Sequence, residues 1–291
     1  MNYELVWVTT KDDLDLYGLL TLEKNKIVLI NIHGTASNFY EEDFISSFAK
    51  NLPKIGVSVL STNNRGAGVY DAYQKSGAAV EKFEDCIIDI DAWIEFTLSR
   101  GFDKIVLSGH SLGAEKVVYY MRNRKYKDKV NGILLLAPAD SYGSHRILNG
   151  KDNMKIRKNV EKLLNESNDI IAYGNGDVFL NRYAYGSHDG IMPKSADSFV
   201  NFLGKDSKVL EGLPFHLNKL DNFKKIKIPI LAIIGDKEEY TAIPIKEALS
   251  LLKKENNMAQ TFQIKDCNHD FEGKEEELTK LVHNFIKENI K

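Results

Sequence analysis

Short, almost wholly apolar blocks alternate along most of the chain with longer segments whose apolar residues recur at helical spacing. The block KIVLSGHS, for example, runs directly into the helical pattern LGAEKVVYYMRN. Strands that are apolar on both faces are typical of parallel sheets covered by helices, whereas half-exposed strands alternate polar and apolar residues. The sequence therefore predicts an α/β protein with a doubly wound, mostly parallel, eight-stranded sheet.

This alternation stops at about residue 141 and resumes at about residue 223. Roughly eighty residues are too many for a plain loop in a compact domain, so the segment should be a structured insertion. Two parts of it, MKIRKNVEKLLNE and KSADSFVNFLGK, carry apolar residues at helical spacing. We therefore expect a core made of residues 1–140 and 223–291, with a helical insertion over residues 141–222.

Composition narrows the class of ligand. The net charge is −2, and basic and acidic residues are interspersed, so the chain has no basic surface of the kind that binds nucleic acid. No apolar run approaches the roughly eighteen residues of a membrane span, and the first residues do not resemble a signal peptide. We expect a cytoplasmic protein that binds a small molecule.

The two cysteines, Cys86 and Cys267, lie far apart in the sequence. They predict neither a disulfide framework nor a metal site, because a metal site needs several His, Cys or carboxylate ligands at short spacing. His188-Asp189 and His269-Asp270 lack such neighbours. We expect neither a metal nor another cofactor.

Ser111 lies where a predicted strand turns directly into a predicted helix, with Gly109 and Gly113 two residues to either side. Glycines at these positions permit a sharp turn, because a side chain there would collide with the neighbouring strand or helix. The turn would raise the serine hydroxyl above the sheet, beside the amide of Leu112 at the helix N-terminus. Ser111 is therefore a candidate nucleophile and Leu112 a candidate oxyanion donor.

Five short motifs, each following a predicted strand, resemble the α/β-hydrolase superfamily in their type and order. They are His33-Gly34-Thr35, Asn63-Asn64-Arg65-Gly66-Ala67-Gly68, Gly109-His110-Ser111-Leu112-Gly113, Gly235-Asp236-Lys237-Glu238 and Asn268-His269-Asp270. The resemblance covers nearly the whole chain. It implies an α/β-hydrolase fold, a lid formed by the insertion, and a nucleophile, acid and histidine that occur in this order along the chain.

His269 is the candidate base, because it lies in the polar segment KDCNHDF just after a predicted strand. An imidazole whose ordinary pKa is near neutrality can take the proton that makes a serine hydroxyl nucleophilic. The resemblance implies structural roles for His33 and His110.

The acid has three candidates. The family's usual spacing, three residues after the glycine that ends the seventh strand, selects Glu238. Asp236 would serve if the turn were tighter, and Asp140 follows the sixth strand, where some relatives carry the acid. The family likewise implies that the Thr35 amide is the second oxyanion donor, although the segment that contains it is also rich in helix-capping residues.

These features predict a serine hydrolase that cleaves a small carboxylic ester through an acyl-enzyme. Thioester or amide hydrolysis uses the same residues, and a non-catalytic protein could keep the fold to bind a small ligand. The Asn-Asn-Arg-Gly loop and Glu238-Glu239-Tyr240 are somewhat similar to the fungal siderophore-esterase group, but we do not carry over that group's substrate.

Overall fold

The structure is a computed structural model that describes residues 3–21, 26–122, 125–146, 153–180, 193–237 and 239–290. Its eight strands form one sheet in the order β1-β2-β4-β3-β5-β6-β7-β8. The strands are β1 (Tyr3–Thr9), β2 (Asp15–Thr21), β3 (Ile27–Ile32), β4 (Val57–Thr62), β5 (Lys104–His110), β6 (Val130–Leu136), β7 (Ile230–Ile234) and β8 (Ala259–Gln263).

The pairs β1–β2 and β2–β4 are antiparallel, and every pair from β4 to β8 is parallel. The predicted fold class is confirmed. In a parallel sheet the carboxyl ends of the strands share one edge, and ligands bind there where the strand order reverses. In this molecule the order reverses around β3, between β4 and β5.

Helices cover both faces of the sheet. The α-helices are α1 (Asp43–Asn51), α2 (Cys86–Ser99), α3 (Leu112–Tyr120), α4 (Ser141–Arg146), α5 (Asn153–Ala172), α6 (Ala196–Leu203), α7 (Ile245–Glu255) and α8 (Glu275–Asn289). Buried side chains of α2, α3 and α7 pack on one face, and those of α1 and α8 on the other. Neighbouring residues of a central strand contribute to opposite cores: Val28 and Ile30 pack with the first set, and Leu29 with the second. This explains why the central strands carry apolar residues on both faces.

The inserted helices α5 and α6 share a third apolar cluster with the sheet domain. Phe199 and Phe202 of the insertion pack with Phe83, with Leu112 and with Tyr119. Phe83 meets Phe202 and Tyr119 ring to ring, at centroid separations of 6.1 and 5.2 Å. Because Leu112 opens α3, the described part of the insertion packs directly against the helix that follows the candidate nucleophile.

Candidate active site

The turn at Ser111 has the backbone that the glycine pattern predicts. Ser111 connects β5 to α3 with φ 54° and ψ −121°, a backbone conformation that residues other than glycine rarely adopt. A Cβ on Gly113 would lie 2.1 Å from the carbonyl oxygen of Ile32, and one on Gly109 would lie 2.3 Å from that of Gly113. Both contacts are with backbone atoms, so neither glycine can be replaced without moving α3 away from the sheet.

Ser111 and His269 line one cavity of about 420 Å³ at the carboxyl edge of the sheet. The loops after β3, β6, β7 and β8 all contribute to it, and Thr35, Ser141 and Tyr240 are among its lining residues. Residues that are far apart in the chain are therefore brought together in the manner expected of an α/β ligand site.

The carboxylate that holds His269 is Glu239. Its Oε2 lies 2.9 Å from Nδ1 of His269, and its Oε1 accepts a 2.9 Å hydrogen bond from the amide of Gly235. The Glu239 side chain is 1 % exposed, compared with 12 % for that of His269. An ionised carboxylate can only accept, so Nδ1 carries the hydrogen and Nε2 is the nitrogen left to accept a proton.

Glu238, the acid favoured by spacing, lies outside the described residues. The structure puts its neighbour Glu239 on the histidine, a residue that the sequence analysis did not consider as the acid. The amides of Asp236 and Lys237 both donate to the Cys267 carbonyl, which folds the start of the turn against the loop that carries His269. Glu239, the fourth residue after Gly235, accepts a hydrogen bond from the Gly235 amide. A spacing rule alone cannot distinguish two adjacent glutamates.

The other two candidate acids have different partners. Asp236 accepts a 2.9 Å hydrogen bond from the amide of Cys267 and so braces a turn. Asp140 is fully buried, and its Oδ2 lies 2.6 Å from Nδ1 of His216 and accepts from the His216 amide at 2.8 Å. Asp140 thus ties the end of the insertion to the loop after β6, and its imidazole partner is not His269.

Leu112 and Thr35, the predicted oxyanion donors, belong to the two segments next to Ser111. Leu112 is the first residue of α3, and the first amides of a helix have no acceptor within it. Gly34 is so close that a Cβ there would lie 3.0 Å from Cβ and 3.6 Å from Oγ of Ser111. Thr35 follows Gly34 and lines the same cavity as Ser111.

A buried polar network holds the segment that carries Thr35. Nε2 of His33 accepts a 3.1 Å hydrogen bond from the Asn64 amide, and the Asn64 side chain accepts one of 3.0 Å from Lys116, which pairs with Glu81. Burial, reinforced by the charge of Lys116, lowers the pKa of His33 to about 4. His33 is therefore a neutral structural residue, as the resemblance implied.

His110 lies behind His269 and pairs with Glu42. Its Nδ1 is 3.0 Å from Oε1 of Glu42, and its Nε2 donates to the His269 carbonyl at 2.9 Å. Burial opposes the charged form of His110, but the Glu42 carboxylate and the His269 carbonyl outweigh it and raise the pKa of His110 to about 9. His110 is therefore an imidazolium at neutral pH.

We expect the stability that His110 gains from this pairing to be lost as the pH rises from 6.5 to about 9. The folded protein holds the proton more tightly than the unfolded chain, so the contribution is complete below the ordinary pKa and gone above the raised one. It amounts to roughly 3 kcal/mol. Urea unfolding of wild type and His110→Gln at about pH 6 and pH 9.5 measures this contribution. The difference between their free energies of unfolding should be smaller at the higher pH.

The comparison of wild type with the variant is needed because Lys194 changes the free energy of unfolding in the opposite direction as the pH rises. Burial lowers the pKa of Lys194 to about 7, so its contribution to stability grows with pH over part of the same range. Subtracting the variant from wild type cancels this effect. A difference that stayed constant with pH would show that His110 is not charged in the folded protein.

Among the described residues, no group of three or more His, Cys, Asp and Glu side chains is arranged to hold a metal ion. Within the same part of the chain, no helix combines the length and apolar composition needed to cross a bilayer.

The family model for serine aminopeptidase, S33, matches residues 23–260. The chain belongs to this family. The predicted resemblance to the α/β-hydrolase superfamily is thereby confirmed. No match was found among curated proteins.

Several solved structures share the fold of this S33 protein. Est1E from Butyrivibrio proteoclasticus with bound ferulic acid is 18% identical, with a TM-score of 0.69 and coverage of 98% of this chain and 99% of that one. The esterase Pf2001 from Pyrococcus furiosus is 19% identical, with a TM-score of 0.60 and coverage of 100% and 92%. The α/β hydrolase GrgF from Penicillium sp. sh18 is 15% identical, with a TM-score of 0.68 and coverage of 100% and 99%. At these identities the likeness establishes the fold alone.

Proposed function

We propose that this protein hydrolyses a small carboxylic ester through an acyl-enzyme formed on Ser111. The observation that carries the proposal is the pairing of His269 with the buried carboxylate of Glu239, in the wall of the cavity that Ser111 also lines. A carboxylate on Nδ1 fixes the tautomer whose Nε2 is basic, which is what activation of a serine requires. Esterases among the similar structures favour an ester as the substrate.

The first half of the reaction acylates the serine. Ser111 Oγ attacks the ester carbonyl carbon while Nε2 of His269 takes the hydroxyl proton, and Glu239 stabilises the resulting imidazolium. The amides of Leu112 and Thr35 stabilise the negative charge on the carbonyl oxygen. The tetrahedral intermediate then expels the alcohol oxygen, which takes the proton from His269 and leaves as the free alcohol.

The second half repeats the chemistry with water. His269 takes a proton from water, the hydroxide attacks the acyl carbon, and Ser111 Oγ leaves with the proton that the histidine returns. The products are a carboxylic acid and the regenerated enzyme, so neither a metal nor a cofactor is needed.

The insertion over residues 141–222 would act as a lid that shapes the substrate site. Three residues of α4, namely Ser141, Ser144 and His145, line the cavity together with Thr35. Burial lowers the pKa of His145 to about 4, so this wall is polar but uncharged at neutral pH. It fits a small substrate with a polar group better than a long aliphatic chain.

Amide hydrolysis is a second candidate because of the family's name and the mouth of the cavity. The exposed carboxylates of Glu41, Asp43, Asp270 and Glu272 all lie on the lining. An α-ammonium group, as on an aminoacyl amide, would be attracted to such a rim.

A fluorophosphonate probe tests the common mechanism. We expect one adduct on the folded protein, mapped by peptide mass spectrometry to Ser111, and none on Ser111→Ala. A panel of p-nitrophenyl esters and aminoacyl p-nitroanilides then separates the two substrates. An adduct on another residue, or a folded protein that neither labels nor turns over any substrate, would favour a non-catalytic ligand-binding protein instead.

A further inference from the structure

Glu42 and His110 form a buried ion pair in the wall of the cavity that Ser111 and His269 line. Both side chains are less than a tenth exposed, and the His110 ring packs against Phe44 and Phe271 at centroid distances of 5.3 and 6.2 Å. Glu42 stands at the N-terminal cap of α1, where the helix dipole favours a negative charge, and its Oε1 also accepts from Ser37. The pair therefore has contacts that hold it in place in addition to those with His269.

The pair contacts His269 in two ways. Nε2–H of His110 donates to the backbone carbonyl of His269, and the two imidazole rings lie with centroids 5.0 Å apart at an interplanar angle of 43°. His110 also immediately precedes Ser111 in the chain. One side chain thus connects the turn that carries the nucleophile to the loop that carries the base.

We propose that His110 is a positioning residue for His269, which it ties to the Ser111 turn through the hydrogen bond from its Nε2 to the His269 carbonyl. The inference rests on the proposed function, since it concerns the base of that reaction. A direct bond between the turn that carries the serine and the loop that carries the base limits the distance between them, and the contacts of Asp270 and Phe271 with His110 join the same two segments. A displacement of about 1 Å at such a site can cost roughly 10² in rate.

Further contacts surround the two rings. Glu42 and Asp270, whose Oδ1 is 3.9 Å from Nε2, face His110. Glu239 pairs with His269, and Tyr240 meets the His269 ring edge to face at 4.7 Å.

Two substitutions at His110 test this hydrogen bond. His110→Gln keeps an N–H donor near the position of Nε2, and His110→Leu loses it. We expect His110→Leu to lower kcat by about 10² with little change in KM, and His110→Gln to recover about tenfold of that loss. A loss confined to kcat that the donor-keeping variant partly restores is not expected of a residue that only stabilises the fold.

Two further proteins guard against a folding defect. The double variant Glu42→Gln/His110→Leu leaves no unpaired buried carboxylate and should show the same fall in kcat as His110→Leu. His216→Gln is the matched control, because it breaks another buried imidazole–carboxylate pair, with Asp140, that does not contact His269. It should lose stability while keeping the wild-type kcat.

Each outcome decides one question. If wild type is active and labels at Ser111 while folded His110 variants keep the wild-type kcat, the positioning role is wrong and the proposed function stands. The same holds if His216→Gln lowers kcat as much as His110→Leu, since the effect would then be general. If wild type neither labels nor hydrolyses any ester or amide, the proposed function fails, and the positioning role fails with it.

Discussion

Glu239→Gln is expected to lower kcat by up to roughly 10⁴ while leaving the fold nearly intact, because the histidine loses the partner that selects its tautomer and stabilises its charged form. Gln is close in shape to Glu and can still accept the hydrogen bond from the Gly235 amide. Steady-state kinetics on the best ester of the panel, with circular dichroism as a check of the fold, measures the effect.

Glu238→Gln is the matched control, because it makes the same chemical change one residue earlier in the chain. It should keep kcat within about threefold of wild type, since Glu239 already occupies Nδ1 of His269. The opposite pattern, a collapse in Glu238→Gln with Glu239→Gln active, would restore the acid that the family spacing selects.

The two aspartates extend the comparison. Asp140→Asn should cost about 2 kcal/mol or more of unfolding free energy, because it disrupts a fully buried pair with His216, but should leave the chemical step largely unaffected. Asp236→Asn should weaken only the turn that it braces at the Cys267 amide. A fall in kcat in either variant comparable to that in Glu239→Gln would argue against Glu239 as the acid.

Ser111→Ala is expected to give the largest loss, about 10⁶ in kcat, because no covalent intermediate can form. Ser111→Gly should be equally inactive but more stable than Ser111→Ala by about 1 kcal/mol, since glycine adopts a φ of 54° without strain. Thermal or urea unfolding of both variants measures this difference. Equal stabilities would mean that the turn stores no strain, and substantial turnover in either variant would remove Ser111 as the nucleophile.

For the insertion, the sequence predicts that the segment is structured but not what it packs against. The interruption between residues 141 and 222 predicts a structured segment, and its helical patterns correspond to α5 and α6. The sequence does not reveal that Phe199 and Phe202 pack against Phe83 and Tyr119 of the sheet domain. Apolar residues on an amphipathic helix indicate that one face is buried, but their spacing does not predict which segment covers that face.

The core positions and the candidate nucleophile could be predicted because they depend on local rules. Strand and helix periods follow from backbone geometry, and a serine between Gly109 and Gly113 at a strand–helix turn requires only that side chains there would collide with the backbone. His269 could be predicted from its place after the last strand. In each case the feature depends on residues that are close to it in the sequence.

Tertiary structure alone decided which charged groups face the histidine. Glu239 reaches it from a turn whose first amides, at residues 236 and 237, bind a carbonyl of the His269 loop, and His110 contacts that loop from a different strand. Such pairings depend on angstrom-scale distances between segments far apart in the chain. Electrostatic and hydrogen-bond energies change steeply over those distances, whereas sequence spacing fixes only the order in which the groups occur.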